Sequence, residues 1–160
     1  MGLEFREDDL ADAAIRALIA HHLRRAHENS PPGSVFALDI DGLKQPGVTF
    51  WSAWQDGDLA GCGALKMLGD GEAEIKSMRV ADAFLGRGIG RAMLEFLIAE
   101  ARARGIIRLS LETGTNDPFL PARTLYQSCG FVECGPFADY RENDFSRFFT
   151  LDLAAVPMTG

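Results

Sequence analysis

Basic residues are in deficit: 16 Lys and Arg stand against 23 Asp and Glu, a formal net charge of −7 over 160 residues. Gripping nucleic acid requires a basic face that displaces counterions from phosphates, so the expectation is no nucleic-acid partner. The acidic surplus leans instead toward a cationic or amine partner. Cysteine is scarce as well. Cys62, Cys129 and Cys134 form an odd, scattered set with neither metal-site spacing nor the even count of a disulfide framework, and they read as reduced thiols. Long apolar runs are missing: nothing reaches the ~18 residues of a membrane span, and no signal-peptide pattern opens the chain. A cytoplasmic location without a membrane partner is expected. Internal repeats and low-complexity tracts are absent too. What remains is one domain's worth of chain, residues 1–160, with 47% hydrophobic content, enough to bury roughly two thirds of its extended surface.

Periodicity then divides the chain. Residues 3–6 suit a first strand, and 10–27 a helix with Asp8 or Asp9 as cap. The cluster Asn29-Ser30-Pro31-Pro32-Gly33-Ser34 ends it, and a short variable region follows at 35–48. Residues 49–55 and 59–67 alternate as strands around the turn Asp56-Gly57-Asp58, and Gly69-Asp70-Gly71 leads into a strand at 72–80. A helix is predicted over 88–104 with Gly105 as its stop, then a strand at 106–112, a helix at 119–129 and strands at 131–135 and 145–153. Antiparallel strands followed by a β-α-β crossover predict an α/β three-layer sandwich with a mixed sheet. In the strand 72–80, Ile75 has the opposite parity to Met78 and Val80. Either helices cover both faces there or a bulge shifts the register.

Two familiar phosphate loops are excluded by what is missing around Gly86, Gly88 and Gly90. The dinucleotide fingerprint needs a third glycine at position 91, where Arg91 stands; a P-loop needs Gly-Lys-Ser/Thr, which occurs nowhere. A Gly-x-Gly-x-Gly loop remains. Ile89, Ala92, Met93, Phe96 and Leu97 recur behind it at helical spacing. A helix starting here aims unpaired N–H groups and the positive end of its dipole at the loop, which suits a phosphate. Arg87 and Arg91 add charge-assisted donors.

This loop resembles the pyrophosphate loop of the GNAT superfamily of N-acetyltransferases, Gln/Arg-x-x-Gly-x-Gly/Ala, with Gly88 and Gly90 on its two glycines. Leu85 falls where Gln or Arg is usual. A second segment, Ala122-Arg123-Thr124-Leu125-Tyr126-Gln127-Ser128-Cys129-Gly130-Phe131, is similar to the family's Asn-x-x-Ala-x-x-Leu-Tyr-x-x-x-Gly-Phe. Phe119 takes the Asn place, with Thr115 or Asn116 as a substitute polar contact. The resemblance covers residues 49–153 best. It implies a three-layer α-β-α sandwich whose mixed, mostly antiparallel sheet is splayed at the cofactor site, with acetyl-CoA as co-substrate and no metal. A bulge in the strand 72–80 would admit the pantetheine arm, with Met78, Arg79 and Val80 along it. Leu85, Gly86, Arg87, Gly88, Ile89, Gly90, Arg91, Phe119 and Ala122 complete the implied cofactor contacts.

Acetyl transfer to an amine needs a proton acceptor for an ammonium of pKa near ~10, a donor for the oxyanion and help for a thiolate of pKa ~8.5. The resemblance gives the oxyanion donor to the Met78 amide and the general acid to Tyr126. Ala73-Glu74-Ile75 matches a family segment whose glutamate draws a proton through water; the alternative is that Glu72 and Glu74 pair with Lys76 on a solvated face. His21, His22 and His27 read as surface residues without metal spacing. Trp51 and Trp54 have opposite parity, which places at least one of them in the core. Phe137, Tyr140 and Arg141 sit in a late loop suited to closing over an acceptor, and Asp39 and Asp41 suit a cation. The resulting expectation is an N-acetyltransferase acting on a primary amine of a small molecule or peptide, by direct attack in a ternary complex. A catalytically idle acyl-CoA-binding module and O-acylation remain as alternatives. A homodimer is common in the superfamily.

Overall fold

The computed structural model describes residues 3–7, 10, 12–28, 40–114, 120–138, 140–142, 144 and 146–153. Within them lie strands β1 (Glu4–Glu7), β2 (Val48–Gln55), β3 (Asp58–Gly69), β4 (Glu72–Val80), β5 (Arg108–Gly114), β6 (Val132–Cys134) and β7 (Ser146–Asp152). The helices are α1 (Ala13–Glu28), α2 (Ile40–Leu43), α3 (Ile89–Ala103) and α4 (Leu120–Ser128). The strands form one sheet in the order β1-β2-β3-β4-β5-β7-β6. Only β4 and β5 run parallel, joined by the α3 crossover.

Helices cover both faces. On one, Met93, Leu94 and Leu97 of α3 and Tyr126 of α4 pack against Leu65, Ile75, Leu109, Leu111 and Phe149. On the other, Ile15, Leu18 and Ile19 of α1 and Leu43 of α2 meet Phe50, Cys62 and Ala64. The fold is the predicted three-layer sandwich. Trp51 joins the first core, edge-on to Phe96 with centroids 5.6 Å apart. Trp54 lies against the second and donates its indole N–H to Ser52 Oγ at 2.7 Å.

The predicted turns close as expected. Asp56 and Gly57 have φ of 54° and 84° between the paired residues Gln55 and Asp58, the twist that suits a two-residue hairpin. The start of α1 differs from the sequence expectation. Asp12 supplies the cap, its Oδ1 accepting from the Ala14 amide at 2.8 Å and the Ile15 amide at 3.4 Å. Leu10, expected inside the helix, has φ of 67° and buries its side chain in the second core at 1% exposure. That burial delays the helix; Asp8 and Asp9 lie outside the described residues.

A bulge resolves the parity conflict in β4. Cys62 pairs with Arg79 and Ala64 with Lys76, so Gly63 alone faces both Ser77 and Met78. The extra residue turns Met78 to the same core as Ile75, while Lys76 shares the opposite face with Ala64. Pairing of β4 with β5 is confined to Glu72–Glu74 against Arg108–Ser110, whereas β5 continues against β7 as far as Gly114. Beyond Glu74 the sheet therefore opens, and the edge of β4 faces a gap. This is the expected splay.

Candidate active site

From Val80 the chain enters a single 3₁₀ turn, Asp82–Phe84, before the glycine loop. Arg79 donates from Nη2 to Asp82 Oδ1 at 3.2 Å, and His21 Nε2 of α1 lies 3.2 Å from Oδ2. His21, read from the sequence as an isolated surface residue, thus supports the base of the loop. The side chains of His22 and His27 lie outside the described residues.

The loop leaves a row of amides bare. Gly86 and Gly88 adopt φ of 77° and 80°, which a side chain would strain by about 1–2 kcal/mol each. The Ala92 amide makes the first bond of α3, to the Gly88 carbonyl at 3.1 Å, and no side chain caps the helix. The N–H groups of residues 86–91 have no acceptor among the described residues. Gly90 serves a different need. A Cβ there would stand 3.3 Å from Leu125 Cδ2 and 3.6 Å from Val80 Cγ2, so the bare Cα lets α3, β4 and α4 converge at the mouth of the gap.

The neighbouring side chains divide. Arg87 holds its guanidinium 5.3 Å from the Phe84 ring centroid, on the loop itself. Arg91 is drawn toward α4 instead, donating to Ser128 Oγ at 2.6 Å and Cys129 Sγ at 3.5 Å. Leu85 is 59% exposed, and Ala122 packs against the first core. Phe119, Thr115 and Asn116 lie outside the described residues, as does Asp39; of Asp41 only the backbone is described.

On the α1 face of the gap sits a buried polar cluster. Glu74 and Lys76 pair at 3.2 Å with side chains only 2% and 7% exposed, so their pairing is not on a solvated face. Tyr140 bridges them: its hydroxyl donates to Glu74 Oε2 at 2.5 Å and accepts from Lys76 Nζ at 2.8 Å. Tyr140 is steadied by Phe137 and Phe148, at centroid separations of 5.0 and 5.4 Å. Burial, followed by the Glu74 charge, drives its phenol well above the ordinary range, so it stays neutral.

Glu112 completes the cluster, and the sequence pattern did not single it out. It follows Ser110, the last residue of β5 paired with β4, by two positions and therefore shares its face. Ser146 Oγ donates to its Oε2 at 2.8 Å, and its other oxygen has no partner among the described residues. Burial raises its pKa, partly offset by the Ser146 bond and the Lys76 charge. The signal was present in the chain. In Leu109-Ser110-Leu111-Glu112 the two leucines are buried, so the glutamate shares the opposite face with a buried serine.

Tyr126 approaches from α4. It is 8% exposed, its ring 6.1 Å from Phe131 and 6.4 Å from Phe149. Its hydroxyl has no hydrogen-bond partner among the described residues. Burial, and then the Glu112 charge, push its pKa up to about 12. Among the described residues no group of His, Cys, Asp and Glu is placed to hold a metal ion, and no helix is long and apolar enough to cross a membrane.

A sheet that parts between two unlike faces, one approached by bare amides and one lined by carboxylates, has the layout of an acyltransferase. Similarity to known proteins makes this specific. The chain belongs to the acetyltransferase (GNAT) family, whose model matches residues 13–131. It is 47% identical over 148 residues to the uncharacterized N-acetyltransferase YedL of Escherichia coli K12, covering 92% of this chain and 93% of that one. Identity is 46% over 151 residues to the uncharacterized N-acetyltransferase YsnE of Bacillus subtilis 168, covering 94% of this chain and all of the other. A solved structure from Klebsiella pneumoniae, described as an acyl-CoA N-acyltransferase, superposes with a TM-score of 0.77 at 27% identity, covering 94% of this chain and 97% of its own.

Proposed function

We propose that this acetyltransferase carries an acetyl group from acetyl-CoA to a primary amine of a small molecule or peptide, by direct attack within the gap between β4 and β5. The observation that carries the reading is the row of unbonded amides at residues 86–91 beside the opening. Such a row at a helix N-terminus suits a diphosphate, and Gly86 and Gly88 leave its approach free of side chains. The description of the Klebsiella relative as an acyl-CoA N-acyltransferase supports the same donor. Bound acetyl-CoA would supply the activated thioester. Arg87 remains on the loop to meet a phosphate oxygen, while Arg91 ties α3 to α4. The amide of Met78, on the stretch of β4 beyond its pairing with β5, is our candidate for the oxyanion donor.

We assign the acceptor's proton to Glu112 rather than Glu74. Glu74 is engaged by both Lys76 and Tyr140, whereas Glu112 keeps one oxygen without a partner among the described residues and has a raised pKa, which brings it closer to that of an amine. Glu74 then holds Lys76 and Tyr140 in place. Tyr126, at about 12, lies above a simple thiol of ~8.5. It therefore donates a hydrogen bond to the developing thiolate without surrendering its proton ahead of it.

Thiol release from acetyl-CoA across a panel of primary amines tests this reading. Release with at least one amine, abolished when residues 86–91 cannot bind the donor, is the expected result. Donor binding without release on any amine would leave an idle acyl-CoA-binding module, and release on alcohols alone would mean O-acylation.

A further inference from the structure

Resting on that acetyl-transfer reading, we propose that the acceptor enters as a cation and bears no carboxylate next to its amine, as in an alkyl amine or an amino group whose neighbouring carboxyl is blocked as an amide. The balance of buried charge selects for it. Glu74 and Lys76 are almost fully buried and neutralise each other, and Tyr140 is held neutral between them. Among the described residues, Glu112 has only a neutral hydroxyl as its hydrogen-bond partner, Ser146. Ionised, the cluster sums to one negative charge in a poorly solvated place. An arriving ammonium completes it, and one proton passed to Glu112 leaves a neutral amine beside a neutral acid.

A carboxylate adjacent to the amine meets the opposite situation. The cation in the cluster, Lys76, already donates to Glu74 at 3.2 Å and to Tyr140 at 2.8 Å. Using it for the substrate would uncover Glu74. Arg79 is turned to Asp82, and Arg108 on the face of Ser110 is exposed and donates to Thr150 Oγ1 at 3.4 Å. Each of the three already has an acceptor within the protein. Like charges a few ångströms apart in a site of intermediate dielectric repel strongly enough to cost about tenfold or more in affinity.

The experiment measures kcat/KM, expressed per protonated amine, for matched acceptors: glycinamide against glycine, and alaninamide against alanine. The amides are expected to be favoured by about tenfold or more. The ratio should shrink severalfold in Glu74→Gln and in Glu112→Gln, each of which removes one negative charge, with thermal unfolding used to confirm that the variants fold. A ratio near one in the wild type, or one unmoved in both variants, overturns the proposal while leaving acetyl transfer intact. No consumption of acetyl-CoA with either member of any pair, in protein that binds the donor, overturns the transfer reading itself.

Discussion

Tyr140 donates its hydroxyl hydrogen to Glu74 across 66 positions of sequence, at 2.5 Å. This bond joins the loop between β6 and β7 to the central strand β4, over the side of the gap that carries Glu112. The loop is anchored from behind, where Phe137 and Phe148 cross nearly at right angles with centroids 5.9 Å apart. The proposed acceptor side thus has a wall that is fixed by hydrogen bonds, charged in its interior and roofed by an aromatic ring. That wall and the glycine loop opposite can each be probed by single substitutions.

Replacing Tyr140 by Phe keeps the ring stack and deletes the bond to Glu74. A buried carboxylate deprived of a donor costs about 1–3 kcal/mol. Denaturant unfolding is expected to show a loss of that size. Steady-state kinetics should show a raised KM for the amine with the KM for acetyl-CoA unchanged; equal effects on both would place Tyr140 outside the acceptor wall.

Glu112→Gln is expected to lower kcat by about 10²–10⁴, the range of a general base. A base works only when deprotonated, and burial raises this carboxyl. Wild-type rate should therefore rise with pH through a value above the ordinary ~4.3 of glutamate, and the variant should lose that limb. Stability moves the other way. Because the folded state holds this proton more tightly than the unfolded one, the ionised group weakens the fold as pH rises through its raised pKa. The variant's melting temperature relative to wild type should increase from acid to neutral pH.

Tyr126→Phe removes a hydroxyl and leaves the ring among Phe131 and Phe149. Donor binding by calorimetry should be unchanged and kcat should fall by about ten- to a hundredfold, the range of one or two kcal/mol. With the phenol at about 12, its ionisation should cost the wild type no rate at neutral or mildly alkaline pH. A full rate in the variant removes Tyr126 from the chemistry.

Gly88→Ala forces a side chain into φ of 80°, at a cost of about 1–2 kcal/mol. Relief of that strain reorients the amides on either side. The prediction is weaker acetyl-CoA binding by calorimetry, by about five- to thirtyfold, equivalent to the strain. Unaltered affinity would mean that the amides of residues 86–91 do not hold the donor.

Much of this layout was legible in the chain. The hairpin at Asp56-Gly57 and the stop at Gly105 depend on backbone chirality a few residues long, and both formed as expected. The bulge in β4 was visible as a parity conflict around Ile75, since strict alternation along a strand forces either an inserted residue or two covered faces. Less local features escaped. Asp12 outranked Asp8 and Asp9 as cap because Leu10 was pulled into a core contributed by α2, β2 and β3. Arg91 turned from the loop to Ser128 because α4 supplies an acceptor 37 positions away.

By itself the sequence determined the layered α/β class, the glycine loop at the start of α3 and the family, because periodicity, turn chemistry and short motifs act over a few neighbouring residues. The tertiary structure alone decided which carboxylate is engaged and which is open. Glu74 and Glu112 are both strand glutamates, and although Lys76 stands two residues from Glu74, the chain by itself does not say whether that pair is buried or solvated. What separates them is that β4 and β5 part just beyond Glu74, that Tyr140 and Lys76 close on the one, and that a single serine reaches the other. Tyr140 and Ser146 come from distant segments, whereas Lys76 lies two residues from Glu74 on the same strand, and in a poorly hydrated gap each of them shifts the local charge balance.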